Sequence, residues 1–332
     1  MPLHAVLRSE PMLELGSYPT PVIRLASLST PGSALWIKRD DQTNPTYGGN
    51  KLRKLERLLD DARQKGARRI VTVGAVGSHH VLATGIFGAA LGMRVEAVLL
   101  PRPDSPGVLT TLCATVAQGV ALCPAESYAE ARQRLQAWAA EGAYVIPAGG
   151  SNRLGTLGII DAAVELALQV RAGALPEPDL IVVPLGSGGT VAGLLAGLEQ
   201  TELRTRVLAV TVAEPAKVFE QRARSLAKSL VSGAARERVL ERLQIERGYL
   251  GGGYGVASAQ GAHACAEAAR VGIALDATYT AKAFAAALAR VALGRERTIL
   301  YWQTLSSAAL TPLLRGAPLE SELEPSLRRL IR

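Results

Sequence analysis

Short runs of β-branched and other apolar residues alternate with longer amphipathic runs along most of the chain. Residues 69–73 and 94–100 are short runs that end at Gly or Pro, and the amphipathic run 81–91 lies between them. A chain that alternates strands and helices in this way forms parallel sheets covered by helices. The pattern predicts further strands at 120–123, 144–147, 180–184, 207–212 and 298–302, and helices at 105–118, 128–141, 157–170, 190–198, 262–271 and 281–292.

The predicted fold class is α/β, with two domains that each contain a parallel twisted sheet flanked by helices. At about 150 residues per domain, a chain of 332 residues agrees with two domains. Ser105 and Pro106 predict the start of one helix, because Ser caps a helix and Pro fits its first position. The stretch 216–247 is dense in charge and predicts exposed helices, and the Gly-rich stretch 248–255 follows it. Ligands of open parallel sheets bind at the carboxyl ends of strands, so we expect a site in a cleft between the domains.

The composition excludes several classes of protein. Apolar residues make up 48% and charged residues 20% of the chain, which excludes a disordered and a collagen-like protein. Aromatic residues are only 4%, which disfavours a stacking platform for single-stranded nucleic acid. The net charge is +8, from 37 Lys and Arg against 29 Asp and Glu, but the Arg residues are scattered. Scattered charge favours a solvated surface over a nucleic-acid partner.

The cysteines and the start of the chain predict a cytoplasmic protein. Cys113, Cys123 and Cys265 are odd in number and lack C-x-x-C spacing, which disfavours disulfides and a metal site and favours a reducing compartment. Residues 1–21 carry acids and prolines where a secretory signal has an unbroken apolar run. No apolar stretch approaches the ~20 residues of a membrane span, so we expect no membrane partner.

A Gly-rich segment, Gly186-Ser187-Gly188-Gly189-Thr190, follows a predicted strand and opens a predicted helix. Backbone N–H groups and the positive end of the helix converge there, and Gly lets the backbone approach an anion closely. The segment lacks the spacing of a P-loop and of G-x-G-x-x-G. It predicts a site for a single phosphate ester, and the alternative is a turn without a ligand.

A lysine, Lys51, follows a Gly pair at the start of a helical pattern that runs to residue 62. The N-terminus of a helix disfavours a cation and so lowers the pKa of the lysine. A neutral lysine amine is a nucleophile that forms Schiff bases. The alternative is that Lys51 is one of three basic residues on a solvated first turn.

Three further loops carry weaker signals. The N–H groups of the loop 74–80 suit a carboxylate, and Ser78 is placed to donate to a substrate or to relay a proton. His79 and His80 are adjacent, so on a helix they point about 100° apart and do not form a metal pair. Tyr254 and Tyr279 lie beside Gly-rich or capping residues, where a hydroxyl acts as an acid or base or simply packs with an exposed tip.

Taken together, these segments resemble the pyridoxal 5'-phosphate (PLP) enzymes of fold type II, the tryptophan-synthase β-like fold. The resemblance is to the branch of 1-aminocyclopropane-1-carboxylate (ACC) deaminase and D-cysteine desulfhydrase, and it spans about residues 15–305. It is carried by Ile37-Lys-Arg-Asp-Asp41, Gly48-Gly-Asn-Lys51-Leu-Arg-Lys-Leu-Glu56, Ser78, Ile146-Pro-Ala-Gly-Gly-Ser-Asn152, Gly155-Thr-Leu-Gly158, Gly186-Ser-Gly-Gly-Thr190, Gly253-Tyr-Gly255 and Tyr279-Thr-Ala-Lys282.

The resemblance implies a role for each motif. Lys51 is the Schiff-base lysine, residues 186–190 hold the phosphate, and Asn50 lies near the cofactor. The Ser78 loop binds the substrate carboxylate and moves a proton, and Tyr254 and Tyr279 lie on the substrate side. The motifs also imply a small inserted domain at 53–154 within a larger domain of 1–52 and 155–332, with PLP in the cleft between them. The resemblance further implies a homodimer.

Two threonines distinguish members of the branch. The deaminases carry Glu and Leu where this chain has Thr280 and Thr304, and desulfhydrase-like members carry Thr at both places. A hydroxyl near the pyridine nitrogen leaves that nitrogen unprotonated and makes the ring a weaker electron sink. Such a ring favours removal of the α proton with prompt loss of a β leaving group, and disfavours opening of a cyclopropane.

The chain also departs from the branch. The Asn that usually meets the phenolic oxygen of the cofactor is His79, whose bulk and titration alter the site. The late His-Thr-Gly-Gly becomes Gln303-Thr304-Leu305-Ser306, and the Gly of Tyr-Thr-Gly-Lys becomes Ala281. We expect PLP to bind despite these changes, with the substrate altered.

The resulting hypothesis is a PLP-dependent lyase or deaminase for a small amino acid, with D-cysteine desulfhydrase-like α,β-elimination to a 2-oxo acid and ammonia. The alternatives are an ACC deaminase or a diverged biosynthetic PLP enzyme that acts on an unusual amino acid. A hypothesis of another class is a non-catalytic PLP-binding relative, which the changes at His79, Leu305 and Ser306 motivate. Turnover of D-cysteine, L-cysteate, β-chloro-D-alanine or ACC discriminates among them.

Overall fold

The computed structural model describes residues 13–332, and its strands form two separate sheets. The larger sheet has six strands in the order β1-β2-β10-β7-β8-β9, and only the edge strand β1 is antiparallel to its neighbour. Its strands are β1 Val22–Arg24, β2 Ala34–Lys38, β7 Leu180–Leu185, β8 Arg206–Thr211, β9 Leu243–Glu246 and β10 Thr298–Trp302. Residues 1–12, the larger part of the segment on which the expectation about a secretory signal rests, lie outside the described residues.

The smaller sheet has four parallel strands in the order β5-β4-β3-β6. Its strands are β3 Arg69–Ala75, β4 Arg94–Leu100, β5 Ala121–Pro124 and β6 Tyr144–Val145. All four lie between the two segments that form the larger sheet. The domain bounds at 53–154 stay a prediction, because one helix, Asn50–Gln64, crosses the first bound and another, Arg153–Arg171, crosses the second.

Helices cover both sheets, and the predicted α/β class with parallel sheets flanked by helices is confirmed. The helices are α1 Asn50–Gln64, α2 His79–Ala90, α3 Val108–Ala117, α4 Tyr128–Ala140, α5 Arg153–Arg171, α6 Gly189–Leu198, α7 Ala216–Leu230, α8 Ala235–Arg238, α9 Ala259–Arg270, α10 Thr280–Leu293 and α11 Pro325–Arg328. No helix within residues 13–332 combines the length and the apolar character that a membrane crossing requires.

Three helices that lead to the cleft pack unusually close together. A Cβ added at Gly158 of α5 would lie 1.8 Å from the carbonyl oxygen of Arg53 in α1. On the other side of α5, a Cβ at Gly193 of α6 would lie 2.5 Å from the Cβ of Ile159. Only glycine permits these approaches. The starts of α1 and α6, which carry the Lys51 and Gly-rich motifs, are thereby held side by side.

A buried cluster of charged residues anchors α1 beneath the cleft. Arg53 donates two hydrogen bonds to Asp40, at 2.9 Å and 2.7 Å, and a further one to Glu165 at 2.9 Å. Lys38 also pairs with Glu165, and Trp302 Nε1 donates to Asp40 Oδ2 at 2.7 Å. Although burial alone would raise it, the cations lower the pKa of Glu165 to about 2. Mutual pairing of this kind is what makes buried charge tolerable.

One prediction about local structure is wrong, and three strands were not predicted. Helix α3 begins at Val108 after Gly107, whose φ is +86°, and not at Ser105. The carbonyl oxygen of Ser105 accepts from Val108 N, and its hydroxyl accepts from Arg102, so Ser105 is used in the loop before the helix. The charged stretch 216–247 contains the edge strand β9 in addition to helices, and strands β1 and β2 were not predicted at all.

Candidate active site

The Gly-rich segment 186–190 joins strand β7 to helix α6. Gly188 caps the helix with a φ of +92°, and a Cβ there would lie 3.1 Å from the backbone of Ala223. Within residues 13–332, the N–H groups of Ser187, Gly188 and Thr190 find no acceptor in the protein. Free N–H groups at a helix N-terminus form an anion site. The N–H of Gly189 differs, because it donates to Ser151 Oγ at 3.2 Å.

Lys54 and Ser151 lie directly behind this segment. Ser151 Oγ is 2.8 Å from Ser187 Oγ, and Lys54 Nζ donates to Ser151 Oγ and to the carbonyl of Gly149, both at 3.2 Å. Lys54 is fully buried, and burial, with Lys51 and Arg222 nearby, lowers its pKa well below the usual range. It forms no ion pair within the described part of the chain. A buried lysine amine beside free N–H groups completes a site for a phosphate, whose negative charge favours the protonated amine.

Lys51 lies in the first turn of α1 and is connected to the same segment. Its Nζ donates to Asn50 Oδ1 at 2.8 Å, and Asn50 Nδ2 donates to Thr190 Oγ1 at 2.8 Å. Burial lowers the pKa of Lys51 to about 8, against the opposing effect of Asp276. More of the amine is therefore neutral and nucleophilic near neutral pH than in an ordinary lysine. The lysine expected from the sequence lies next to the expected anion site.

Ser78 and His79 lie where strand β3 passes into helix α2. Ser78 is the N-cap of the helix, and its Oγ accepts from Val81 N at 3.4 Å. His79 Nδ1 is 2.6 Å from the hydroxyl of Tyr47, and the two rings stack at 6.4 Å between centroids. Burial lowers the pKa of His79 and favours the neutral ring.

His80 points into the interior of the protein. Its Nε2 lies 3.0 Å from Thr72 Oγ1, and burial lowers its pKa to about 3. The two adjacent histidines thus have different surroundings, as their spacing predicts. Within residues 13–332, no group of three His, Cys, Asp or Glu side chains is arranged to hold a metal.

Tyr254 and Tyr279 come together although 25 residues separate them. Their hydroxyls are 2.7 Å apart, and their rings meet edge to face at 5.7 Å. The ring of Tyr279 also lies against Gly186, where a Cβ would be 3.1 Å from Tyr279 Cε1. Burial raises the pKa of both hydroxyls, so both keep their protons at neutral pH.

The two threonines expected near the cofactor ring have different positions. Thr304 lines the cleft, and its carbonyl accepts from Asn50 N at 3.3 Å. Thr280 is fully buried behind the lining, and its hydroxyl donates to Asp276 Oδ2 at 2.6 Å. Asp276, which the sequence did not single out, lines the cleft, and the role expected for Thr280 stays a prediction. Asp276 also accepts from the N–H groups of Thr278 and Tyr279, at 2.9 Å and 2.6 Å.

Two of the residues that depart from the late His-Thr-Gly-Gly pattern, Gln303 and Ser306, are also held in place. Ser306 Oγ accepts from Gly48 N at 2.9 Å, and Gln303 Nε2 donates to the carbonyl of Ala274 at 2.7 Å. The carbonyl of Thr304 lies so close to Gly49 that a Cβ on Gly49 would be 2.8 Å from it. These contacts join the Lys51 motif to the chain after β10.

One cavity of about 780 Å³ unites these groups between the carboxyl ends of the two sheets. Its lining includes eleven of the thirteen candidate catalytic and cofactor-binding residues, namely Asn50, Lys51, Ser78, His79, Gly186, Ser187, Gly188, Thr190, Tyr254, Tyr279 and Thr304. Gly189 and Thr280 lie just behind that lining. The cavity also receives Arg102, Arg222, Glu214 and Asp276, which were not singled out. Its size is that of a site for a cofactor or a drug-sized ligand.

Comparisons with known proteins agree with this geometry. Residues 13–303 match the family described as pyridoxal-phosphate dependent enzyme. The D-cysteine desulfhydrase of Klebsiella pneumoniae is 37% identical over 321 residues, which cover 90% of this chain and 95% of that protein. That of Yersinia pestis is 36% identical over 302 residues, which cover 87% and 90%.

Solved structures agree as well. An ACC deaminase homologue has a TM-score of 0.79 and 31% identity, covering 95% of this chain and 99% of that one. O-ureido-L-serine synthase, with a TM-score of 0.66, 18% identity and coverage of 94% and 95%, shares the fold. The resemblance drawn from the motifs is confirmed. With a family match over most of its length and a lysine beside a phosphate-type anion site, this chain belongs to the pyridoxal-phosphate-dependent enzymes of fold type II.

Proposed function

We propose that this enzyme removes a β substituent from a small amino acid by α,β-elimination, as a D-cysteine desulfhydrase does, and releases a 2-oxo acid and ammonia. The observation that carries the proposal is the amine of Lys51, with a pKa of about 8, linked through Asn50 to the anion site and facing the same cavity as Ser78. The D-cysteine desulfhydrases at 36–37% identity support it.

The residues present fit PLP. The free N–H groups of Ser187, Gly188 and Thr190, with Lys54 and Ser151 behind them, would hold its phosphate, and Lys51 would hold its aldehyde carbon. A Cβ on Gly189 would meet Ser151 Oγ at 2.4 Å and Lys54 Nζ at 2.8 Å, so the segment has the shape of a cradle that only glycine leaves open. When bound, PLP takes up the amino group of the substrate and withdraws electrons from its Cα.

Lys51 and Ser78 are the candidates for moving the α proton. At a pKa of about 8, the Nζ of Lys51 accepts a proton and also returns it near neutral pH. Ser78 Oγ and the N–H groups of its loop face the same cavity and would orient the substrate carboxylate. Loss of the α proton and of the β substituent as an anion, followed by addition of water, yields the 2-oxo acid and ammonia.

Tyr254 and Tyr279 are proposed to protonate the leaving group. Because burial raises the pKa of both hydroxyls, each is a proton donor at neutral pH. The 2.7 Å hydrogen bond between them lets one hydroxyl stabilise the other after it has given up a proton. The pair would therefore act as one acid on the substrate side.

The test combines a spectrum with an assay of products. The purified protein, loaded with PLP, should show a visible absorption band that Lys51→Ala abolishes and Lys65→Ala, a surface control, retains. It is then incubated with D-cysteine, L-cysteine, L-cysteate, β-chloro-D-alanine and ACC, and 2-oxo acid and ammonia are measured. Formation of both from a β-substituted amino acid is the expected result. A protein that binds PLP but turns over none of these compounds would overturn the proposal.

A second candidate is ACC deaminase activity, which the structure of an ACC deaminase homologue favours. Turnover of ACC without turnover of β-substituted amino acids would support this candidate. A diverged enzyme for an unusual amino acid, or a relative that binds PLP without catalysis, corresponds to PLP binding with no turnover in the assay. The substitutions at His79, Leu305 and Ser306 are the features that would account for such a loss.

We also propose that the enzyme works in the cytoplasm, as a homodimer of two-domain chains divided at 53–154. The free cysteines Cys113, Cys123 and Cys265 support a reducing compartment. Light scattering of the purified protein measures its mass, and a mass of one chain, 34.9 kDa, would refute the dimer. Tagged protein recovered in the cytoplasmic fraction of cells would support the location.

A further inference from the structure

An arginine that no motif indicated, Arg102, projects into the cavity from the loop after β4. Its backbone is fixed by hydrogen bonds to the last residues of the chain, from Arg102 N to Leu330 O and from Arg332 N to Arg102 O, both 2.9 Å. Its side chain is 6% exposed, and Nη2 donates to Ser105 Oγ at 2.7 Å and to Thr278 Oγ1 at 2.8 Å. Arg102 therefore joins the loop that follows the small sheet to the segment before α10.

Every protein group that Arg102 contacts is neutral. Besides the two hydroxyls, Nε donates to the carbonyl of Pro103 at 3.3 Å, and within residues 13–332 no acceptor lies at Nη1. The carboxylates of Asp276 and Glu214 line the same cavity, but in the described chain neither forms an ion pair with Arg102. A guanidinium keeps its charge at neutral pH, and a buried charge without a counter-ion is costly. Such a site favours an anion.

The anion is not the phosphate of the cofactor, because two tyrosine rings separate Arg102 from the cradle. The ring of Tyr279 lies against Gly186 of the cradle, its hydroxyl bonds Tyr254, and the guanidinium lies 5.3 Å over the ring of Tyr254. The succession Gly186, Tyr279, Tyr254 and Arg102 therefore places the guanidinium away from the phosphate end of the cavity. The cation–π contact also fixes the plane of the guanidinium.

We propose that Arg102 binds an anionic group on the side chain of the substrate, so that the enzyme prefers amino acids whose β leaving group is a sulfonate or carries a sulfonate or carboxylate. This inference rests on the proposed function and specifies its substrate class. A planar guanidinium with a free Nη1 binds carboxylate and sulfonate oxygens strongly. The proposed function assigns the α-carboxylate to the loop that ends at Ser78, which leaves Arg102 for the second anionic group.

The experiment compares anionic amino acids with neutral amino acids of similar size. The PLP-loaded enzyme is titrated with cysteate and serine and with aspartate and asparagine, each as D and L forms, and the change in the visible spectrum gives dissociation constants. We expect the anionic member of a pair to bind at least tenfold more tightly. Arg102→Met should remove this preference without weakening the neutral member, and Arg102→Lys should keep part of it. Ser105→Ala, which removes one neutral contact and leaves the charge, should retain most of the preference.

Each outcome has a distinct meaning. Equal binding of anionic and neutral members by the wild type would overturn the inference without any variant, and turnover of neutral substrates would then leave the proposed function intact. Equal weakening of both members by Arg102→Met would assign Arg102 to the α-carboxylate and refute the inference. Retention of the preference by Arg102→Met would refute it as well. No spectral response to any amino acid would overturn both proposals. The PLP band of each variant shows that it is folded and loaded.

Discussion

Replacing Lys54 by methionine should stabilise the cofactor-free protein and weaken PLP binding. Lys54 is fully buried, forms no ion pair within the described residues, and has only two neutral acceptors, each at 3.2 Å. Methionine fills the volume of the lysine stem without a charge. Ser151 Oγ keeps contacts with Ser187 Oγ and Gly149 O, so no acceptor is left unpaired. A residue that serves to bind a ligand commonly lowers the stability of the protein when the ligand is absent.

The size of each effect follows from these contacts. Burial lowers the pKa of Lys54 well below its usual range, so folding destabilises its ammonium form. Desolvation of a buried ion without a counter-ion costs several kcal/mol, on the order of the penalty known for other buried ions. The two lost hydrogen bonds offset about 1–3 kcal/mol of that cost, so the apo variant should be the more stable, by on the order of 1 kcal/mol or more. Loss of a charge-assisted bond to the phosphate should weaken PLP binding by about 10–150-fold.

Urea unfolding with and without PLP, and spectral titration with PLP, measure the two effects of Lys54→Met. The pKa of Lys54 is lowered on folding, so the unfolded chain binds more protons and the wild type gains stability as pH rises. The advantage of the apo variant should accordingly shrink between pH 7 and about pH 10. A variant that is less stable without PLP, or that binds PLP as well as the wild type, would refute the reasoning.

Three other substitutions test the support of the site. Arg53→Met should lower the free energy of unfolding by about 3–5 kcal/mol, because it leaves the buried carboxylates of Asp40 and Glu165 without their guanidinium. A loss below about 1 kcal/mol in urea unfolding would contradict this expectation. Gly158→Ala should cost about 1–3 kcal/mol and weaken PLP binding, because its Cβ would force α1 away from α5, whereas Gly32→Ala, with nothing within 4 Å, should be neutral. Tyr47→Phe removes the 2.6 Å bond to His79 and should shift the pH dependence of the PLP spectrum; an unchanged titration refutes a role for this bond.

The sequence predicted most strands and helices because their signals are local. Strand β4 was predicted with the bounds the structure shows, and the parallel order followed from alternation with helices. Strand β1 was missed because it has three residues, two of them exposed, and so carries no apolar pattern. Strand β9 was missed because all four of its residues are half-buried and its neighbours are charged. In both cases the strand exists because a neighbour pairs with it, which the pattern of one segment does not contain.

The site residues likewise divide into those with a local sequence signal and those whose function depends on a distant partner. Lys51, Ser78 and the segment 186–190 were found because a strand that ends in Gly and opens a helix creates free N–H groups by local geometry. Lys54 was considered only as a basic residue on the first turn of a helix, although its spacing of three from Lys51 puts the two on neighbouring positions of one face. Its function depends on Ser151, 97 residues away, which no local pattern connects to it.

Part of the excess positive charge, which the sequence pattern assigned to the solvated surface, lies in the cleft. Lys54, Arg102 and Arg222 lie at or behind the cavity lining, and none of the three forms an ion pair within residues 13–332. Arg53, by contrast, is paired with Asp40. Unpaired cations of a buried site are stabilised when anions arrive, so the phosphate and an anionic substrate should close the two sheets over the cavity. Binding of both should therefore raise the melting temperature more in low salt than in high salt, and a salt-independent rise would contradict this account.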